Sequence, residues 1–178
     1  FWEFLDQAGV PSTFYDLPSN YPPSPSTHGN HRCLAGMGTP DLLGTYGTYQ
    51  YFTEDCPQQQ VNEGGGKRFR VRFDRDVSGP LALLGPDNSF LKEPKPSEIP
   101  FCVHRDPKSQ AVLIEMQGRK ILLKQGEWSP WIRVEFPLAT PAAIPDKKIP
   151  GIVRMYLQAV SPVFKLYVSP VNADPAEP

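Results

Sequence analysis

Proline and glycine interrupt this chain so often that a long helix has nowhere to form. The 178 residues include 22 prolines and 14 glycines, which is about a fifth of the chain against roughly 12% in average proteins. Both residue types break helices, so a helical bundle, a coiled coil and a helical repeat array are excluded. The aromatic content of 11% supplies anchors that disordered chains lack. The sequence therefore predicts a turn-rich, mainly β fold.

The charge balance argues against two classes of partner. Lys and Arg number 18 and Asp and Glu number 19, which leaves a net charge of -1. No overall field of this size attracts nucleic acid or an anionic membrane. The longest apolar runs have four residues, far below the roughly 20 that a membrane-spanning helix needs. We therefore expect neither nucleic acid nor a membrane as partner.

The cysteines do not predict a disulfide framework. Cys33, Cys56 and Cys102 are an odd number and form no CxxC pair, a pattern that disfavours a set of structural bridges. One bridge with one free thiol stays open.

The first 66 residues divide into a short α/β unit and a loop. Residues 1–8 have helical spacing, and residues 12–16 predict a strand after Gly9, Val10 and Pro11. A helix-to-strand step is typical of an α/β unit. The helix begins without a capping side chain, and residues 174–178 have the composition of a linker. We therefore expect a segment of a longer protein, with residues 17–66 as a long Gly/Pro-rich loop.

The pattern changes to period-two alternation from Lys67 onward. Further strands are predicted at residues 67–73, 81–84, 112–117, 120–124, 131–136, 151–160 and 163–168. Gly118 and Arg119 between the third and fourth of these suit a tight hairpin. Several short strands without intervening helices predict an antiparallel β-sandwich or barrel module at residues 67–178. The fold class is therefore mainly β, or α+β when the N-terminal unit is included.

Four stretches carry a resemblance to a known family. They are FWEFLDQAGVP at 1–11, GMGTPDLLGTYGTYQYFT at 36–53, GEWSPW at 126–131 and FKLYVSPVN at 164–172. Together they resemble bacterial type I phosphodiesterase/nucleotide pyrophosphatase proteins of the alkaline phosphatase-like superfamily. The resemblance covers most of the chain and thins over residues 57–110.

The resemblance implies a metal-dependent phosphodiesterase or phosphohydrolase acting on a phosphate ester. Such enzymes use a Ser or Thr nucleophile and two divalent metals, zinc or manganese, held by Asp and His clusters. This chain has only His28, His31 and His104 and no such cluster. The resemblance implies that it is the central segment, with residues 1–66 as a remnant of the α/β core and 67–178 as a cap or insert. Nucleophile and metal ligands would then lie in the rest of the parent chain, and the segment alone would be inactive and bind no metal.

A glycine-rich loop and one strand arginine supply the candidate substrate-binding residues. These residues are Thr39, Asp41, Gly44, Thr45, Tyr46 and Arg70. Glycine lets a backbone approach a ligand closely, and successive N–H groups bind anions. The same loop also suits a tight scaffold turn, in which Asp41 fixes the loop geometry rather than binding metal. Arg70 belongs to a basic row with Arg68, Arg72 and Arg75 that suits a phosphate or the solvated face of an edge strand.

Two further patterns have a structural and a functional interpretation. His28, His31 and Cys33 have metal-ligand spacing without a fourth ligand, which favours an ordinary polar loop. The aromatic side chains Trp128, Trp131, Tyr156 and Tyr167 form either strand packing or a carbohydrate-stacking platform. That platform belongs to the alternative function, a free-standing β-sandwich binding module for a glycan or a protein partner.

Overall fold

The chain folds into two compact units, residues 1–40 and residues 41–178. The computed structural model describes residues 1–17, 20, 22–36, 40–141 and 145–174. The described residues are mainly strands, which confirms the predicted fold class. No helix among them is long and apolar enough to cross a bilayer. The three cysteines, Cys33, Cys56 and Cys102, are free thiols.

The first unit is a helix followed by two parallel strands. Helix α1 spans Trp2–Gln7, strand β1 spans Ser12–Leu17 and strand β2 spans His31–Ala35. The helix and β1 confirm the predicted helix-to-strand step. Rings from the start of the helix pack on β1, where the centroids of Phe1 and Trp2 lie 6.3 and 6.0 Å from that of Phe14. Strands β1 and β2 pair in parallel, as in an α/β unit.

The second unit is built from short strands. In its described part the strands are β3 (Tyr49–Thr53), β4 (Gln60–Glu63), β5 (Gly66–Arg70), β6 (Phe73–Asp74), β7 (Val77–Ser78), β8 (Leu81–Asp87), β9 (Pro96–Asp106), β10 (Ala111–Met116), β11 (Arg119–Lys124), β12 (Ile132–Leu138), β13 (Lys147–Val153), β14 (Met155–Ala159), β15 (Lys165–Val168) and β16 (Asn172–Ala173). They form a five-stranded sheet in the order β14-β15-β3-β5-β4, a six-stranded sheet around β9, and a three-stranded sheet in the order β12-β13-β16. Neighbouring strands are antiparallel except β3 and β5, which run parallel.

One hydrophobic core joins the three sheets of this unit. It includes Leu166 from the five-stranded sheet, Ile114 from the six-stranded sheet and Phe136 from the three-stranded sheet, all fully buried. The rings of Phe52 on β3 and Phe101 on β9 meet edge to face at 5.0 Å. Burial of each such side chain stabilises the fold by roughly 1.5–3 kcal/mol. The core therefore holds the five-stranded sheet against the other two sheets.

The hairpin predicted around Gly118 is confirmed. Strands β10 and β11 pair antiparallel with Met116 opposite Arg119. The two residues between them, Gln117 and Gly118, have φ of +48° and +73°. Positive φ at both central positions is the geometry that matches strand twist in a two-residue turn.

The structure differs from the sequence prediction over residues 17–66. Strands β2, β3 and β4 lie in this region, which was predicted to be a loop. Strand β3 escapes a period-two search because the buried positions Gln50, Phe52 and Thr53 mix polar with apolar side chains. A second difference is at 151–160, predicted as one strand. It divides at Arg154 into β13 and β14, which belong to different sheets.

Candidate functional site

A row of aromatic side chains crosses the five-stranded sheet at right angles to its strands. On β14, Tyr156 lies opposite Tyr167 of β15, which lies opposite Tyr51 of β3. The row ends on β5, where Arg68 is opposite Tyr51. At its other end, Trp128 forms an isolated bridge with Tyr156. We call Trp128, Tyr156, Tyr167 and Tyr51 the aromatic row.

Strand alternation places the aromatic row on the face of the sheet away from the core. The residues that follow or precede its tyrosines, Leu157, Leu166 and Phe52, are buried to 1% exposure or less. Successive side chains of a strand point to opposite faces. Because these neighbours fill the core, the tyrosines must face outward, where they are half-buried.

Within the aromatic row, the Trp128 ring contacts two tyrosine rings directly. The centroid of Trp128 lies 5.1 Å from that of Tyr156 and 5.8 Å from that of Tyr167. Tyr167 also lies 5.5 Å from Tyr49, which extends the aromatic surface beside Tyr51. Four strand spacings of about 4.8 Å make the surface from Trp128 to Arg68 roughly 19 Å long.

An open cavity lies at the β5 end of the aromatic row. It has a volume of about 480 Å³ and is lined by Tyr49, Tyr51, Glu63, Gly64, Arg68 and Tyr167. Arg68 pairs with Glu63 at 2.8 Å, and its guanidinium carbon lies 5.8 Å from the Tyr51 ring centroid. The cavity therefore combines ring surfaces with one paired cation.

The hydroxyls of Tyr51 and Tyr167 stay protonated at neutral pH. Burial raises the pKa of Tyr51, an effect that the nearby Arg68 guanidinium partly offsets. Burial also raises the pKa of Tyr167. Tyr51 donates its hydroxyl proton to Gln158 Oε1 at 2.6 Å. The surface thus presents neutral phenols and an amide rather than phenolates.

The other end of the aromatic row holds an arginine between two tryptophans. The guanidinium carbon of Arg154 lies 5.1 Å from the Trp128 ring centroid and 5.8 Å from that of Trp131. Its Nε donates to the Ser129 carbonyl at 3.0 Å, and its backbone N–H donates to Ser169 Oγ at 2.9 Å. Trp128 and Trp131 are 46% and 54% exposed. The backbone contacts fix the arginine while the indoles leave its end open to solvent.

The glycine-rich loop is organised around Asp41. Its carboxylate accepts backbone hydrogen bonds from Leu43, Thr45, Gly47 and Thr48 at 2.8–3.2 Å and one from the Thr45 hydroxyl. Burial raises the pKa of the Asp41 carboxyl, but these hydrogen bonds outweigh it and hold the pKa below its usual value. Asp41 therefore fixes the loop geometry with both carboxylate oxygens.

Five of the six predicted substrate-binding residues lie in the described part of the chain, and the structure does not gather these five into one site. Gly44 has a positive φ of +74° within the turn, and Tyr46 projects into solvent at 81% exposure. Arg70 is opposite Thr53 at the far end of β3, about 13 Å along the strand from Tyr49. Its Nε donates to the Cys56 carbonyl. Thr39 lies outside the described residues.

The row of four arginines does not lie on an edge strand, which was one of the two interpretations of its sequence pattern. Strand β5 lies between β3 and β4 rather than at an edge. Of the four arginines, Arg72 and Arg75 lie beyond the end of β5. The predicted continuous strand stops at Arg70, so the four side chains do not form one face.

His28 and His31 lie around Asp6 of helix α1 instead of forming a site with Cys33. The Asp6 carboxylate accepts hydrogen bonds from the Ser26 hydroxyl and the backbone of Thr27, His28 and Asn30 at 2.7–3.0 Å. Burial raises the Asp6 pKa, but these hydrogen bonds hold it far below its usual value.

The histidine rings approach the same carboxylate. The Nδ1 atoms of His28 and His31 lie 3.5 and 3.8 Å from it. Cys33 Sγ accepts a hydrogen bond from Asn20. Across the described ranges, no group of three His, Cys, Asp or Glu side chains is placed to hold a metal ion.

Sequence reasoning found Trp128, Trp131, Tyr156 and Tyr167 but missed Tyr49, Tyr51, Arg68 and Arg154 as their neighbours. The missed tyrosines sit in β3, whose strand pattern is hidden by its buried polar positions. The YxYxT spacing from Tyr49 to Thr53 was the available signal. The pairing of β3 with β15 could not be predicted from the sequence. Thr53 lies opposite Lys165, and 111 residues separate the two along the chain.

Comparison with known proteins finds no family model, no curated protein and no solved structure that matches this chain. The likeness to type I phosphodiesterases stays a prediction from the sequence.

Proposed function

We propose that residues 41–178 form a glycan-binding module, with the ligand lying across the aromatic row. The observation that carries this proposal is the alignment of Trp128, Tyr156, Tyr167 and Tyr51 on the outer face of one sheet. The C–H faces of sugar rings are apolar and pack on aromatic rings, while their hydroxyl rims need polar partners. Rigid strands hold the rings, so little ordering is needed on binding.

The surroundings of the aromatic row favour a glycan over a protein partner. Polar side chains flank the rings, including Gln158 beside Tyr51 and the Arg68–Glu63 pair at the end of the row. A protein interface of standard size requires about 800 Å² on each partner around desolvated apolar anchors. A row of half-buried tyrosines with polar groups on both sides suits a narrow, hydroxylated ligand better.

A panel of neutral and acidic oligosaccharides tests this function by titration calorimetry. We expect saturable binding by at least one member, and about a fivefold or greater loss of affinity in W128A and Y167A, because a stacked aromatic ring contributes about 1 kcal/mol beyond its buried area. Y46A is the matched control, since Tyr46 is an exposed tyrosine on the Asp41 loop. Absence of binding across the panel would contradict the proposal, and so would wild-type affinity in W128A and Y167A. A protein ligand on this face would contradict it as well.

We propose, as a second candidate, that the chain is the central segment of a phosphodiesterase or phosphohydrolase of the alkaline phosphatase-like superfamily. Two features of the first unit support it. Its strands β1 and β2 are parallel and follow a helix, as in an α/β core. Phe1 and Phe4 on that helix are 76% and 75% exposed. A contiguous exposed apolar patch of several hundred Å² is typical of a surface that another element covers, and these two side chains would contribute to such a patch.

In this second role, the β strands of residues 67–178 would act as a cap or insert that shapes access to a phosphate ester. The nucleophile and two divalent metals, zinc or manganese, would be held by the rest of the parent chain. We therefore expect the purified chain alone to leave bis-p-nitrophenyl phosphate intact with either metal. Metal-dependent turnover by the purified chain would contradict this assignment of roles.

A further inference from the structure

We propose that Arg154 forms an anion subsite at the Trp128 end of the aromatic row, which selects glycans that carry a carboxylate or sulfate. This inference rests on the proposed glycan-binding function. It follows from three observations: an arginine close to two half-exposed indoles, a backbone carbonyl that fixes its orientation, and terminal nitrogens that have no acceptor among the described residues.

The orientation of Arg154 is set from inside the sheet. Its Nε donates to the Ser129 carbonyl at 3.0 Å. Ser129 is itself fully buried, and its hydroxyl accepts the backbone N–H of Met155 at 2.9 Å. Because Nε is held in this way, the two terminal nitrogens on the opposite edge of the guanidinium remain available to donate to a ligand. That edge matches the two oxygens of a carboxylate or sulfate.

The charge of Arg154 is not neutralised within the described part of the chain. No carboxylate pairs with it there, and its terminal nitrogens donate to no protein acceptor. Arg68 at the other end of the row provides the contrast. It also lies over a ring, that of Tyr51, but its Nη2 is paired with Glu63 at 2.8 Å. Of these two arginines, Arg154 is therefore the one without a carboxylate partner among the described residues.

The indole rings strengthen the subsite in two ways. Both ring centroids lie within 6 Å of the guanidinium carbon and so take the place of part of its hydration shell. A partly desolvated cation attracts an anion more strongly than a hydrated one. The indole rings also provide a stacking surface next to the charge. A sugar ring on Trp128 or Trp131 would place its acidic substituent within reach of Arg154.

Tryptophan fluorescence tests the subsite separately from binding of a long glycan. Trp128 and Trp131 report on Arg154, and a W2F background removes the third tryptophan of the chain. Glucuronate and glucose are a matched pair that differs in the charged group, and inorganic sulfate shows whether the anion alone suffices. We expect a saturable change with glucuronate at a concentration at least tenfold lower than with glucose.

The arginine variants decide the assignment. R154Q should abolish the preference for glucuronate, and R154K should retain only part of it because lysine keeps the charge but loses the two-pronged donor edge. R72Q is the control and should keep the preference, because Arg72 is exposed and lies beyond the end of β5. Equal responses to glucuronate and glucose, or an unchanged preference in R154Q, would overturn the subsite even if neutral oligosaccharides bind the aromatic row. If the wild-type protein prefers glucuronate to glucose but binds no oligosaccharide of the panel, the proposed glycan-binding function is overturned instead.

Discussion

Gln50 and Leu84 exchange two hydrogen bonds between strands of different sheets. The Gln50 side-chain amide donates to the Leu84 carbonyl at 2.7 Å, and the Leu84 backbone N–H donates to Gln50 Oε1 at 2.8 Å. Gln50 is 1% exposed. The pair ties β3, the strand that presents Tyr49 and Tyr51, to β8 of the six-stranded sheet.

Substitution Q50L should destabilise the second unit because it leaves both backbone groups of Leu84 buried without partners. Each such group costs about 1–3 kcal/mol, so we expect a loss of roughly 2–6 kcal/mol in the free energy of unfolding. Urea titration measures it. Q158L is the control, because Gln158 lies on the exposed face and its change should have an effect within about 0.5 kcal/mol. Equal effects of the two variants would contradict the role given to Gln50.

Substitution G85A should strain the contact between β8 and β12. A Cβ at Gly85 would overlap the buried ring of Phe136. Overpacking of this kind typically costs 1–3 kcal/mol. G79A is the matched control because nothing lies within 4 Å of a Cβ at that position. Thermal unfolding of the two variants should show a lower melting temperature for G85A, and equal melting temperatures would refute the packing argument.

Substitution D41N should weaken the second unit at neutral pH and flatten its acid dependence. The pKa of the folded Asp41 carboxyl lies below the usual value of 3.8. Its stabilising contribution is therefore complete above that pH and is lost as the pH falls through the folded pKa. In D41N an NH₂ group replaces one of the two oxygens that accept these backbone hydrogen bonds, and this group does not titrate between pH 3 and pH 7. Urea unfolding at pH 7 and pH 3 should show a smaller difference for D41N than for the wild type.

The control for this experiment is D55N. Asp55 is exposed, and its carboxylate accepts no hydrogen bond in the described part of the chain. Its replacement should leave the difference between pH 7 and pH 3 close to that of the wild type. A D55N curve that flattens as much as that of D41N would show that general charge, rather than the Asp41 loop, sets the acid dependence.

Substitution D6N should loosen the segment that follows β1 in the first unit. The Asp6 carboxylate accepts hydrogen bonds from the backbone N–H groups of Thr27, His28 and Asn30. In D6N one carboxylate oxygen is replaced by an NH₂ group, which cannot accept a hydrogen bond from an N–H group. Hydrogen exchange at those three amides should accelerate. E3Q, an exposed acid on the same helix, should leave the exchange rates unchanged. Unchanged rates in D6N would mean that other contacts hold the segment.

Local chemistry let part of this fold be predicted from the sequence. The alternation of apolar and polar residues from Trp131 to Phe136 predicted β12, which spans Ile132–Leu138. Gly118 predicted the turn of the β10–β11 hairpin because both neighbouring strands are close in sequence and the turn needs positive φ. Both elements could be predicted because each is determined by a few residues that are neighbours in the sequence.

The aromatic row could not be predicted to the same depth because it depends on register between distant strands. Tyr51 and Tyr167 are opposite each other, yet no local pattern states that β3 pairs with β15. The buried amide of Gln50 hid β3 further, since a polar residue at an inward position breaks the expected alternation. The four aromatic residues named from the sequence were therefore found without the tyrosines of β3.

The strand register gives the second unit two independent sets of positions. Buried and outward side chains alternate where the aromatic row crosses β3, β14 and β15: Gln50 and Leu157 lie in the core, and the residues that follow them, Tyr51 and Gln158, lie on the outer face. Changes at outward positions therefore leave the inward set intact. A protein engineer can therefore replace the outward side chains of this face one at a time while the buried side chains keep their contacts.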